Sequence, residues 1–281
     1  MTFFASMQGR LVPPEDGRFQ CFPRARWRDE FAFAAEAGFD AIEWIFDVYG
    51  EDANPLASDT GLAEMRALTE KTGTIVRSLC ADYFMDRPFL RTTTAEREEL
   101  IEKMKWLLGR CRMAEIGRVV IPFVDNSRIE NDQERSEAIS ILRSLLPAAE
   151  ENKVELHLET SLAPQAFAAL LEQCEHPLLR VNYDSGNSSS LGYRVSEEFA
   201  AYGRRIGSVH VKDRRLGGGT VPLGTGDADL PALFRGLADL GYNGDFVLQI
   251  ARAEPGVEVP WLARNRAWVA DQIEAARGGS Q

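Results

Sequence analysis

The sequence predicts an α/β fold, a single (β/α)8 TIM barrel that takes in residues 1–281 as one domain. Three observations carry that expectation. Short apolar runs rich in β-branched residues alternate with longer segments of helical period, eight of each, as in βα units around a parallel sheet. Gly38, Gly73, Gly117 and Gly241 each follow a helical segment, where a C′ residue with positive φ is expected. No proline-rich or serine-rich linker, charge block or low-complexity tract divides the chain, and its 281 residues suit one barrel of about 250.

Taken in order, FFASM (3–7) is the first strand and 27–37 the first helix. GFD leads into DAIEWIF (40–46), followed by helix 60–72; TIVRSLC (74–80) precedes helix 94–115. On that long helix Ile101, Met104 and Leu108 form one apolar stripe, with Lys105 at its edge. RVVIPFV (118–124) is the fourth strand and precedes helix 131–152; VELHLET (154–160) precedes helix 163–174. RVNYD (180–184) and SVHVK (208–212) lead to helices 195–204 and 229–240. GYN then opens the last unit, FVLQI (246–250) with helix 260–277.

Composition excludes several classes of function. With 44% hydrophobic and 9% aromatic residues the chain can bury a large core. Its 43 acidic against 32 basic residues give a net charge of −11, which argues against nucleic acid as a partner, because phosphate binding needs a positive surface. Cys21, Cys80, Cys111 and Cys174 are far apart and form no CxxC pair, so they read as reduced thiols of a cytoplasmic protein. The N-terminal apolar run is too short for a signal peptide, and nowhere do about 18 apolar residues run together, so no membrane association is expected.

In such a barrel the active site lies at the C-terminal ends of the strands. The polar residues collected there are Glu43, Glu159, Asp184, His210 and Gln249. Glu159, Asp184, His210 and Gln249 come from four successive strands and form an oxygen and nitrogen set suited to one divalent ion, Mn²⁺, Co²⁺, Mg²⁺ or Zn²⁺. Gln249 needs a partner in any case, since an unpaired buried amide costs about 1–3 kcal/mol. Each residue also has a plainer reading: His210 as a hydrogen-bonded core histidine, Asp184 as the initiator of the DSGN turn. Glu159 is harder to dismiss, because glutamate is rarely buried without a partner. The period of 2 puts Glu155, His157 and Glu159 on one face of the fifth strand, so His157 faces the lumen with Glu159, and its plainer reading is a layer-filling residue hydrogen-bonded to its neighbours rather than a direct ligand. His176 falls in a loop at the opposite end. The glycine-rich stretch 216–227, LGGGT and PLGTGD, reads either as a phosphate-binding loop or as a long mobile loop. Lys212, Arg214, Arg215 and Arg252 offer charge for an anionic substrate, although Asp213 and Asp227 lie among them as salt-bridge partners.

The motifs LHLET, NYDSGN, HVKD, PLGTGDAD and GYNGDFVLQ, in that order and spacing, resemble the xylose-isomerase-like TIM-barrel superfamily of sugar-phosphate isomerases and epimerases. Ketose 3-epimerases, hydroxypyruvate isomerase, inosose dehydratase and endonuclease IV share that superfamily. The likeness covers the chain from Phe3 to about residue 275, is strongest over 154–250, and extends to the opening MQGRL. It implies that Glu159, Asp184, His210 and the last-strand residue bind one divalent metal, with Glu43, His157, Asn187, Lys212, Arg214 and Arg252 around the substrate, a small sugar or sugar phosphate. Many relatives carry glutamate at the position of Gln249 and histidine at that of Asn187. Related barrels often form homodimers.

The resulting expectation is metal-assisted proton transfer α to a carbonyl through an enediolate, with Glu159 as the catalytic base. Isomerisation through one face fits a single carboxylate most easily, whereas epimerisation needs a proton delivered to the other face. His210, as a ligand outside the core, is expected to be replaceable without loss of the fold. Two rivals stand beside this reading. A phosphodiesterase like endonuclease IV needs a histidine-rich site, and the chain has three histidines. A non-catalytic barrel that binds a sugar or a partner protein would explain the loss of the glutamate at 249.

Overall fold

A computed structural model describes residues 2–278 of the protein. Eight parallel strands close into a barrel in the order β1 (Phe4–Met7), β2 (Ala41–Ile45), β3 (Ile75–Cys80), β4 (Arg118–Phe123), β5 (Glu155–Thr160), β6 (Leu179–Asp184), β7 (Ile206–Val211) and β10 (Phe246–Leu248), which returns to β1. All eight predicted strands are present. Their inner and outer faces are both covered, which is why they read as near-continuous apolar runs. The register sets the site: Asp184 lies beside His210, Glu159 beside Pro122 and Glu43 beside Met7, all near the strand C-termini.

The helical layer is α1 (Asp29–Glu36), α2 (Asp59–Thr72), α4 (Thr94–Met113), α5 (Asp132–Asn152), α6 (Pro164–Gln173), α8 (Val195–Tyr202), α9 (Leu230–Asp239) and α10 (Glu258–Gly278). Ser58, Thr93, Asn131 and Asp229 cap four of these through their side chains, each cap worth about 1 kcal/mol. Leu107, Leu108, Leu142 and Leu145, all fully buried, seat α4 and α5 on the sheet.

The structure corrects the sequence reading in four places. Gly38, Gly73 and Gly241 do take positive φ (79, 77 and 66°), but after α4 Glu115 makes the left-handed turn at 61°, two residues before Gly117. The last strand ends at Leu248, two residues short of the expected end, although the Gln249 N–H still donates to the Val211 carbonyl at 3.2 Å. Two short helices, α3 (Tyr83–Asp86) and α7 (Ser185–Leu191), sit on the C-terminal rim where loops were expected. The glycine-rich stretch after β7 is an ordered element, the two-stranded ribbon β8 (Asp213–Arg214) with β9 (Thr220–Val221), and the amides of Gly224, Gly226 and Ala228 all donate to the buried Asp213 carboxylate at 2.8–3.1 Å. Those amides are occupied within the chain, so the loop is not built as a phosphate cradle.

Candidate metal centre and substrate cavity

Glu159, Asp184 and His210 bring one ligand atom each to within 4.8 Å of one another, all three buried at the top of the lumen. The His210 ring is oriented from below: its Nε2 lies 2.5 Å from the Glu43 carboxylate, itself fully buried. Nδ1 then faces the centre, 3.3 Å from Glu159 and 3.8 Å from Asp184, and has no hydrogen-bond partner among the described residues. An orphaned ring nitrogen between two carboxylates is the donor set that a divalent ion completes, and carboxylate with imidazole suits Mg²⁺, Mn²⁺, Co²⁺ or Zn²⁺.

Asp184 serves two purposes. Its Oδ1 accepts from the Asn187 N–H at 2.8 Å and caps α7, while Oδ2 faces Lys212 Nζ at 3.4 Å. One oxygen thus serves the turn, and the other faces Lys212 and His210. Glu159 is fixed by Asn182, whose Nδ2 donates to it at 2.8 Å, and by Asn187, whose Nδ2 donates at 2.5 Å. Below Asn182 a column runs down the lumen: Ser208 Oγ donates to Asn182 Oδ1 at 2.7 Å, and His157 bridges Ser208 (2.7 Å) and Glu155 (2.8 Å).

Charge holds these groups in defined states. Burial disfavours the His210 imidazolium, but Glu43, Asp184 and Glu159 outweigh it and push its pKa well up. Burial likewise opposes ionisation of Asp184 and Glu43; Lys212 and His210 offset it for Asp184, His210 for Glu43, and both carboxyls end below their usual range. His210's folded value exceeds its unfolded value of about 6.5, so its share of stability is complete below that pH and is lost as pH rises through the folded value. A cation held by His210 would take the place of the Nδ1 proton. Melting temperature without metal is thus expected to fall on going from about pH 7 to 9, while the stabilisation by added Mn²⁺ grows over the same interval and fades below about pH 6. Calorimetry with and without Mn²⁺ checks this; parallel curves would count against His210 as a ligand.

A cavity of about 320 Å³ opens above the centre, lined among others by Glu159, Gln249, Lys212 and Arg214. Lys212 Nζ reaches Gln249 Oε1 at 3.2 Å, and its stem passes α7 at Gly186, where a Cβ would stand 2.6 Å from Lys212 Cγ. Any larger residue at 186 would displace the lysine. Arg214 donates to Asn187 Oδ1 at 2.8 Å. Three residues assigned to the substrate by the sequence are elsewhere. Glu43 and His157 are fully buried beneath the centre, where they orient His210 and the Glu159 column. Arg252 donates to the carbonyls of Phe19, Gly9 and Val12 and so ties down the loop after β1.

Sequence reasoning missed Asn182, Gln20 and Asp82. Asn182 shares the lumen face with Asp184 by the period of 2, a usable signal. Gln20 lies in an irregular loop, and Asp82 two residues past the third predicted strand, where period gives no information. Gln20 Oε1 accepts from Gln249 Nε2 at 2.9 Å and from Arg10 Nη2 at 3.0 Å. Because arginine only donates, these bonds fix the direction of both amides and leave Gln249 Oε1 facing Lys212 Nζ. Gln249→Glu would set two acceptors face to face. It is expected to lower the stability of the metal-free protein by about 1–3 kcal/mol while tightening divalent-metal binding. Equal melting temperatures in the two metal-free proteins would show that Gln20 tolerates a carboxylate there.

The profile of the xylose isomerase-like TIM barrel family matches residues 31–276, and the chain belongs to that family. Among curated proteins, the L-ribulose-5-phosphate 3-epimerase UlaE of Salmonella heidelberg is 26% identical over 264 residues, covering 89% of this chain and 91% of its own. A solved L-ribulose 3-epimerase superposes with a TM-score of 0.77 at 16% identity, covering 100% of this chain and 97% of that one. The IOLI protein with a bound zinc atom does so at 0.77 and 17% identity, covering 98% and 99%. Among the described residues no helix is long and apolar enough to cross a membrane.

Proposed function

We propose that this protein is a metal-dependent sugar isomerase or epimerase that moves a proton α to a carbonyl, with 3-epimerisation of a ketose or ketose phosphate as its reaction. The observation that carries the reading is the convergence of Glu159, Asp184 and His210, whose Nδ1 makes no hydrogen bond among the described residues, next to the cavity that Glu159 lines. The name of the UlaE relative supports it, and points to L-ribulose 5-phosphate as the first substrate to test.

Glu159, Asp184 and His210 would hold the ion, with the Gln249 amide oxygen as a neutral fourth donor. A divalent ion there supplies Lewis-acid polarisation of the substrate carbonyl, which acidifies the adjacent C–H. Glu159 removes that proton: Asn182 and Asn187 fix its carboxylate, so the base approaches in a set direction rather than sampling rotamers. Lys212 neutralises Asp184 and lines the cavity, where its ammonium would stabilise the enediolate oxygens. Arg18 and Arg214 line the mouth and give a phosphate end two cations. Replacing Arg214 with methionine should then raise KM for a ketose phosphate more than for the free ketose; equal changes would place the phosphate elsewhere.

A further inference from the structure

Epimerisation takes a proton from one side of a carbon and returns one to the other side. Glu159 accounts for one side, and Gln249, an amide, neither gives nor takes a proton. The cavity has two other carboxylates, Asp125, exposed on a turn, and Asp82, buried. Asp82 follows β3 and Glu159 ends β5, with β4 between them, so the two enter the cavity about a quarter-turn apart around the barrel.

Resting on the functional reading above, we propose that Asp82 is the second acid–base catalytic residue, delivering the proton from the side Glu159 does not reach. Its surroundings are built for a carboxyl that changes state. Gln20 Nε2 donates to Oδ2 at 2.8 Å and Cys80 Sγ to Oδ1 at 3.1 Å, both neutral groups, and among the described residues no cation pairs with it. Arg10, buried and an obligate donor, holds Gln20 Oε1 and thereby forces Gln20 Nε2 toward Asp82. The charged groups facing it are Asp47 and Glu159, which oppose ionisation, and Arg10, which favours it. Burial, aided by those two carboxylates, pushes the Asp82 carboxyl up to about 6, so both of its states are accessible near neutrality.

The protons balance. Glu159 as carboxylate takes the C–H proton and leaves the enediolate; Asp82 as carboxylic acid protonates the same carbon from the other side and becomes carboxylate. The reverse reaction exchanges the roles, and water resets both groups between turnovers. Gln20, bonded to Asp82 on one side and to Gln249 on the other, positions the acid beside the centre without joining the chemistry.

The test uses Mn²⁺-loaded protein in D₂O with L-ribulose 5-phosphate and a panel of free ketoses, followed by NMR. Asp82→Asn is expected to slow epimerisation by about 10²–10⁴-fold while solvent deuterium still enters the recovered substrate through Glu159, with metal content unchanged. Epimerisation that persists, or exchange and epimerisation that fall together, would overturn the assignment. Gln20→Leu keeps the test open if Asp82→Asn fails to fold: losing its donor should move the Asp82-dependent limb of the epimerisation pH profile upward and leave that of exchange in place. An unmoved limb also overturns it. A wild-type protein that neither exchanges nor epimerises any of these sugars sinks the functional reading instead, so the two failures are distinguishable.

Discussion

Glu159→Gln is expected to keep the metal and slow turnover by about 10²–10⁴-fold, the usual contribution of a positioned acid–base group. The amide retains an oxygen for the ion but accepts no proton. Two neighbours sharpen the expectation. Asn182 and Asn187 both donate to Glu159, and the substituted side chain would have to turn its NH₂ toward one of those donors or break a bond. Some loss of order at the base therefore accompanies the loss of basicity. Measured kcat on the best ketose, alongside metal content by mass spectrometry, checks this. Near-normal turnover with full metal would make another residue the base.

His210→Ala is expected to abolish metal binding and to destabilise the barrel by about 3–5 kcal/mol, the cost of stranding one partner of a buried ion pair. The sequence reading treats this histidine as peripheral to the core. In the structure it is fully buried, and Glu43, equally buried, has its paired oxygen against the ring. Truncation leaves that carboxylate without its counter-charge. Combining His210→Ala with Glu43→Leu should restore much of the stability and none of the metal binding. If the single variant melts like wild type, the Glu43 pair is not holding charge in the folded protein.

The residues that the sequence made legible are those whose position follows from period and strand end. Glu159, Asp184 and His210 each fall late in a strand, and parallel packing at the register observed places Asp184 directly beside His210. What escaped depends on chain path between elements. Arg10 belongs to MQGRL, a motif noticed only for its likeness to relatives, yet its guanidinium crosses from the loop after β1 to the Ile250 carbonyl and to Gln20. No periodicity predicts such a contact, nor the turn that brings Gln20 to Gln249 across 229 positions of sequence. The glycine-rich ribbon misled for a related reason. Composition revealed a loop able to present amides, but not that Asp213 would take them. Likewise, the departure at 249 looks like the loss of a base when read as a single residue. Beside Gln20 it is an amide that donates on one side and accepts from Lys212 on the other.

The central claim is that Glu159, working beside a divalent ion held with Asp184 and His210, moves a carbon-bound proton of a ketose. Solvent exchange at that carbon tests it most directly, because it reads the proton transfer itself whatever product follows. In D₂O, the protein reloaded with Mn²⁺, Co²⁺, Mg²⁺ or Zn²⁺ should introduce deuterium at the carbon adjacent to the carbonyl of L-ribulose 5-phosphate or a free ketose. The chelator-treated protein and Glu159→Gln should not. Exchange that proceeds equally in all three, or in none of the metal-loaded forms, would contradict the account.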